Sequence, residues 1–153
     1  MSLMILRAAR PDEATKLSAL ALRSKGHWGY DETFLEACRA ELTIRPETVK
    51  PHRTTVAEHD DQVIGFVTME GHPPVGELGY LYVDPGHLGQ GVGRTLWQHA
   101  VTTAESAGLE KFKIDADPHA CDFYLAMGAI LVGATPSGSI PGRSLPLLHY
   151  ALR

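Results

Sequence analysis

Residues 83–94 read VDPGHLGQGVGR and place three alternate glycines, Gly89, Gly91 and Gly93, where a strand meets a helix. Glycine tolerates positive φ and lets a ligand approach the backbone without a Cβ clash. The first amides of a helix have no internal partner, and the helix dipole puts about half a positive charge there. We therefore expect this turn to bind phosphate, with the Arg94 guanidinium as a further cationic contact.

Other interpretations of this turn stay open on the residues alone. The glycines are also compatible with a tight turn that binds no ligand. The dinucleotide pattern G-x-G-x-x-G fails, because its last position counted from Gly89 is Arg94. The P-loop sequence Gly-Lys-Ser/Thr does not occur in the chain.

Strands and helices alternate on both sides of the glycine turn. The predicted elements are a strand at 4–9, helices at 10–26 and 31–42, strands at 54–57, 63–67 and 77–83 with a loop at 71–76, a helix from the glycines to Gly108, a strand at 112–114, a short helix at 117–127, and strands at 129–132 and 147–152. This order predicts one α/β (α+β) domain over residues 4–153, written β-α-α-β-β-β-α-β-α-β-β. Residues 1–3 precede a second methionine and look like an expression scar.

Composition restricts the class of protein. The 153 residues are 44% hydrophobic and 21% charged, which is typical of one globular domain. The net charge of −4 and the lack of a basic block argue against a nucleic-acid partner. No apolar run reaches the roughly 20 residues of a membrane span. Cys38 and Cys121 lack metal-type spacing, so we expect reduced thiols, no metal and a cytoplasmic location.

Two motifs resemble the GNAT N-acetyltransferase family. Residues 81–85 and 89–94, LYVDP and GQGVGR, are similar to its strand and pyrophosphate signature Gln/Arg-x-x-Gly-x-Gly/Ala, with Gly91 and Gly93 at the glycine positions and Leu88 at the Gln/Arg position. Residues 120–129, ACDFYLAMGA, are similar to its Ala-x-x-Phe-Tyr-x-x-x-Gly-Phe segment. The resemblance covers essentially the whole chain. It implies a mixed, mostly antiparallel sheet of about seven strands flanked by helices.

The resemblance also implies acetyl-CoA as the acyl donor and a set of residues that bind it. Asp117 stands where the family often has an Asn that contacts the pantetheine arm. At Leu88 the expected phosphate contact is the backbone amide. The implied cofactor-binding residues are Leu81, Tyr82, Val83, Leu88, Gly89, Gln90, Gly91, Val92, Gly93, Arg94, Asp117 and Tyr124.

Acetyl transfer to an amine needs a base and an acid. An alkylammonium has a pKa near 10.4, so a base must remove its proton, and an acid assists the leaving thiolate. Tyr124 matches the family tyrosine near the thioester sulfur and is our candidate acid; the alternative is a core tyrosine. Glu77 precedes the glycine turn on its strand and is our candidate base; the alternative is a solvated acid. Gly79 could support a β-bulge that aims side chains at the cleft.

The sequence determines the acceptor substrate less closely than the acyl donor. His27, Trp28 and Tyr30 form an aromatic group between two predicted helices and, with Tyr80, are candidate substrate contacts, because aromatic faces can hold a cationic amine. The alternative is that these aromatic residues only pack the corner between the two helices. His72 and Arg143 are further candidates. We expect a small-molecule amine as acceptor. A peptide amine, a non-catalytic acyl-CoA sensor and another use of the CoA thioester remain alternatives, and a homodimer stays open.

Overall fold

A computed structural model describes residues 3–152 of the chain. The first two residues of the suggested scar, Met1 and Ser2, and the C-terminal Arg153 lie outside the described residues. The strands are β1 (Ile5–Ala8), β2 (Thr55–His59), β3 (Gln62–His72), β4 (Val75–Val83), β5 (Lys111–Asp115), β6 (Ile130–Pro136) and β7 (Ser144–Ala151). The α-helices are α1 (Ala14–Gly26), α2 (Glu32–Cys38), α3 (Val92–Ser106) and α4 (Cys121–Ala126). The predicted order of elements is confirmed.

The seven strands form one mixed sheet in the order β1-β2-β3-β4-β5-β7-β6. Every neighbouring pair is antiparallel except β4 and β5, which are parallel. The β4–β5 pairing runs from Val75 opposite Lys111 to Glu77 opposite Lys113 and stops there, although both strands continue. Beyond Glu77 the two strands separate, and the gap between them provides room for a site.

Each face of the sheet carries its own apolar core. On one face, α3 buries Leu96, Trp97 and Ala100 at helical spacing against the strands. On the other face, α1 buries Leu17 and Leu20 in the same way. Complete burial of one such leucine contributes about 1.5–3 kcal/mol, so both faces fix the sheet between helices.

Several predicted boundaries were wrong, among them those of β6 and β7, which respectively extend to Pro136 and begin at Ser144. Helix α2 begins as expected, since the Asp31 carboxylate accepts from the Phe34 amide at 2.8 Å, but it ends at Cys38 rather than near Leu42. The Ile44 amide donates to the Ser18 hydroxyl of α1 at 2.7 Å and so directs the chain away from the helix axis. Strands β3 and β4 are longer than predicted and form a hairpin that turns at residues 73–74, where we expected a loop.

Within residues 3–152, no helix combines the length and the apolar character that a bilayer crossing requires.

Candidate active site

A cavity of about 460 Å³ opens where β4 leads through the glycine turn into α3, and α4 closes its other side. We call it the glycine cavity. Its lining includes every residue expected to bind the cofactor except Gln90, which is exposed beside it. These lining residues are Leu81, Tyr82, Val83, Leu88, Gly89, Gly91, Val92, Gly93, Arg94, Asp117 and Tyr124. The volume falls in the range of about 300–1,000 Å³ that is usual for small-molecule and cofactor sites.

The glycine turn has the geometry of a phosphate loop. Gly89 and Gly91 have φ of 77° and 82°, and a Cβ at either position would meet nothing within 4 Å. Gly91 is the N-cap of α3, so the unpaired amides of that helix begin beside the cavity. Gly93 has a different role, because a Cβ there would touch the Phe123 ring at 3.4 Å. The turn therefore fits a pyrophosphate at its backbone.

Tyr124 lies in α4 at the wall of the glycine cavity, and only 5% of it is exposed. Its ring packs against Trp97 and Phe123, with centroids 5.9 Å and 5.3 Å away. Burial raises the pKa of the Tyr124 phenol well above its usual value, and the Asp117 carboxylate raises it further. The phenol is therefore protonated at neutral pH.

A second, smaller cavity of about 190 Å³ lies in the gap between β4 and β5. We call it the acidic cavity, because five carboxylate residues line it against two cationic ones. The acidic residues are Glu41, Glu70, Glu77, Asp115 and Asp117, and the cationic residues are Lys25 and Arg143. An excess of negative charge in a small concave site favours a cationic ligand.

Glu77 lies in β4 at the point where the β4–β5 pairing ends, and it lines the acidic cavity. Burial raises the pKa of its carboxyl above the usual value, and the carboxylates of Asp115 and Glu70 raise it further. The Lys113 ammonium, 3.9 Å from Glu77 Oε1, opposes that shift only in part. A carboxyl with a raised pKa is a stronger base when ionised.

The expected β-bulge is present in β4. Val67 pairs with Leu81 and Met69 pairs with Leu78, so β4 carries one more residue than β3 around Gly79 and Tyr80. The register shifts at this point, and the Tyr80 amide donates to the Thr68 hydroxyl at 3.0 Å. The ladder is therefore interrupted beside the acidic cavity.

The two cavities meet at Lys25, Tyr82 and Asp117, which line both. The Asp117 carboxylate accepts from Lys25 Nζ at 2.7 Å, from the Tyr30 hydroxyl at 3.0 Å and from the His119 amide at 2.8 Å. Burial alone would raise the pKa of Asp117, but the hydrogen bonds from Lys25 and His119 outweigh it and lower the pKa. Asp117 is thus the expected N-cap, and protein groups engage both of its oxygens.

The aromatic residues near the α1–α2 junction form one cluster around His119, since the His27 ring lies 5.0 Å from Trp28 and the Tyr30 ring 5.6 Å from His119. Trp28 lines the glycine cavity and stacks on His119 with centroids 5.0 Å apart. Tyr30 stacks on Phe34 at 4.0 Å, and it lines neither cavity. His27 also lines neither cavity.

Of the remaining acceptor candidates, Tyr80 and Arg143 line the acidic cavity and His72 does not. Arg143 Nη2 donates to the Tyr30 hydroxyl at 2.8 Å. Sequence reasoning missed Lys25 and Glu70. Helical spacing places Lys25 one turn after Ala21, on the buried side of α1, and that signal was available. Among residues 3–152, no group of three or more His, Cys, Asp or Glu side chains could hold a metal ion.

Comparisons with known proteins agree with this architecture. The peptidyl-lysine N-acetyltransferase YjaB of Salmonella typhimurium is 31% identical over 146 residues, with 94% of each chain covered. YjaB of Escherichia coli is 29% identical over 151 residues, with 95% of each covered. The crystal structure of PaiA N-acetyltransferase from Thermoplasma acidophilum in complex with coenzyme A gives a TM-score of 0.80 at 18% identity over 97% of this chain and 99% of that chain.

The family profile described as "Acetyltransferase (GNAT) family" matches residues 17–129, most of the chain. With that match and the similarity to YjaB along nearly the whole length, the chain belongs to the GNAT acetyltransferase family and is an acyltransferase.

Proposed function

We propose that this protein transfers the acetyl group of acetyl-CoA directly to a primary alkylammonium of the lysine type, with Glu77 as base and Tyr124 as acid. One observation carries the proposal. The cavity lined by Tyr124 and the cavity lined by Glu77 share Lys25, Tyr82 and Asp117 in their walls. A thioester bound in the first cavity and an amine bound in the second would therefore be neighbours.

The glycine cavity is the site proposed for the donor. Acetyl-CoA is an anionic ligand, and the open backbone at Gly89 and Gly91, the first amides of α3 and the Arg94 guanidinium suit its pyrophosphate. Leu81 and Val83 of β4 line the same cavity as Tyr124, and they offer an apolar wall for the acyl arm.

The proton balance assigns a role to each residue. The acceptor enters as R–NH₃⁺, and Glu77 takes one proton to give the neutral amine. The nitrogen forms a bond to the acetyl carbon, the carbon–sulfur bond breaks, and the nitrogen loses a second proton as the amide forms. Tyr124 gives its proton to the departing sulfur and is restored by that second proton. One proton per turnover leaves Glu77 for solvent.

The acidic cavity supports the acceptor class. Its volume of about 190 Å³ lies below the range of about 300–1,000 Å³ for drug-sized ligands, so it suits one unbranched alkylammonium. The relatives named YjaB are peptidyl-lysine acetyltransferases. Both points favour a lysine side chain over the free small-molecule amine that we expected from the sequence.

The test is acetylation of a mixed acceptor panel with [acetyl-¹³C]acetyl-CoA, read by mass spectrometry. The panel contains lysine peptides, peptides with only an α-amine, diamines and an aminoglycoside. We expect transfer to lysine Nε and a large loss of rate in Glu77→Gln. Transfer only to free small amines would replace the peptide by the small molecule as acceptor. Hydrolysis without transfer to any amine would refute the proposal.

A further inference from the structure

Glu70 lies directly opposite Glu77 in the β3–β4 ladder. Side chains at opposed positions of an antiparallel pair share one face of the sheet, with Cβ atoms about 4.5–5.5 Å apart. Both carboxylates line the acidic cavity. The proposed base therefore has a second carboxylate beside it, on the neighbouring strand.

The fold holds the Glu70 carboxylate in place. The Thr68 hydroxyl donates to Glu70 Oε2 at 2.9 Å, and that hydroxyl accepts from the Tyr80 amide at 3.0 Å. These two bonds form a chain in which each hydrogen points toward the carboxylate, so the backbone of β4 and the Thr68 side chain together fix its position. The amide that begins the chain belongs to the β4 bulge.

Gly79 provides the space for this arrangement. A Cβ at position 79 would collide with the Glu70 carboxyl group. The carboxyl group therefore lies against the backbone of β4 at the bulge, where a larger residue would exclude it. On its other side, Glu70 Oε1 is 3.8 Å from Nδ1 of His52, and only 21% of the Glu70 side chain is exposed.

The two carboxylates have different surroundings, and different surroundings give two neighbouring acids different roles. The Glu70 carboxylate accepts a hydrogen bond from the Thr68 hydroxyl. Burial raises the pKa of Glu77, and the neighbouring carboxylates of Asp115 and Glu70 raise it further. The asymmetry indicates which of the two accepts a proton.

We propose that Glu70 is a second catalytic carboxylate: it binds the acceptor ammonium together with Glu77, and Glu77 takes the proton. The inference rests on the function proposed above. A primary ammonium has three N–H donors and can bind two neighbouring carboxylates at once. The proton that it loses goes to Glu77.

The test is the pH dependence of kcat/KM for a lysine peptide in wild type and in Glu70→Gln. Removal of the Glu70 charge lowers the pKa of Glu77, so we expect the acidic limb to move to lower pH. We also expect KM for the peptide to rise about tenfold, as for the loss of one charge-assisted contact. Glu47→Gln removes an equal charge outside both cavities and should change neither quantity.

Other charged groups near the pair are the same in all variants. They are His52, Arg53, Lys113, Asp115 and His149 on the neighbouring segments, and Lys25, Glu41, Tyr80, Tyr82, Asp117 and Arg143 around the cavity. A shift of the acidic limb between wild type and Glu70→Gln therefore reports the charge at position 70.

The outcomes separate this inference from the proposed function. If Glu77→Gln abolishes the acidic limb and Glu70→Gln leaves both the limb and KM as in wild type, Glu70 has no catalytic role and Glu77 keeps its own. If Glu77→Gln retains the wild-type profile, the proposed base is wrong and this inference fails with it.

Gly79→Ala gives a second route if Glu70→Gln fails to bind acetyl-CoA. Its methyl group forces the Glu70 carboxyl to move but keeps both charges. We expect KM for the peptide to rise severalfold, and an unchanged KM would overturn the inference.

Discussion

Gly91→Ala tests the phosphate loop, because it adds one methyl group at a position where strain and ligand contact can be separated. The φ of 82° at Gly91 lies in the left-handed region, which costs an L-residue about 1–2 kcal/mol. The added Cβ would meet no protein atom within 4 Å, so it would project into open space. Since Gly91 lines the glycine cavity, that space is where the ligand approaches.

The expected loss of affinity follows from the contacts that the methyl group would block. A hydrogen bond from a backbone amide to a charged phosphate oxygen contributes about 1.5–3 kcal/mol. Since about 1.4 kcal/mol changes Kd tenfold, loss of one such bond should weaken acetyl-CoA binding about 10- to 100-fold. The free energy of unfolding should fall by only about 1–2 kcal/mol, the cost of backbone strain.

Gly142→Ala is the matched control. Gly142 has a φ of 79°, a Cβ there would also meet nothing within 4 Å, and the residue lines neither cavity. Titration calorimetry with acetyl-CoA and urea unfolding should show equal destabilisation in the two variants but weakened binding in Gly91→Ala alone. Wild-type affinity in Gly91→Ala, or equal loss in both variants, would refute the assignment of the turn to phosphate binding.

Two further predictions concern the acid and the stability of the fold. Tyr124→Phe should lower kcat about 100-fold and leave Kd for acetyl-CoA within about threefold. The control is Tyr150→Phe, which should keep the wild-type kcat because Tyr150 lines neither cavity. Equal rates in both variants would remove Tyr124 from the acid role. The Glu13 carboxylate is 2% exposed and accepts two hydrogen bonds from the Arg7 guanidinium, at 2.7 and 2.8 Å. These bonds lower the pKa of Glu13 from 4.5 to about 2, a shift that corresponds to about 3 kcal/mol of folding stability. This stabilisation is complete above about pH 4.5 and is lost as pH falls toward 2. In urea unfolding, Glu13→Gln should therefore cost about 3 kcal/mol at pH 7 and much less at pH 3. A stability difference between wild type and Glu13→Gln that does not change with pH would contradict the ion pair.

The order of elements and the glycine turn could be predicted from the sequence because both depend on local patterns. Helical and strand periodicities extend over one element, and positive φ at Gly89 and Gly91 is a property of single residues. Aromatic residues that are close in sequence predicted the lining of the cavities less well. Gly29, with a φ of 87°, turns the chain between Trp28 and Tyr30, so that one ring lines the glycine cavity and the other packs on Phe34.

The sequence by itself determined the family and the conformation of the glycine turn, and it supplied the two candidate proton-transfer residues, Tyr124 and Glu77. Only the tertiary structure decided their surroundings. Lys25 reaches Asp117 across 92 residues, and the register of β3 places Glu70 opposite Glu77. A bulge that adds one residue to β4 decides which side chains share a face, because side chains alternate along a strand. Such pairings depend on contacts between distant segments, and no local pattern encodes them.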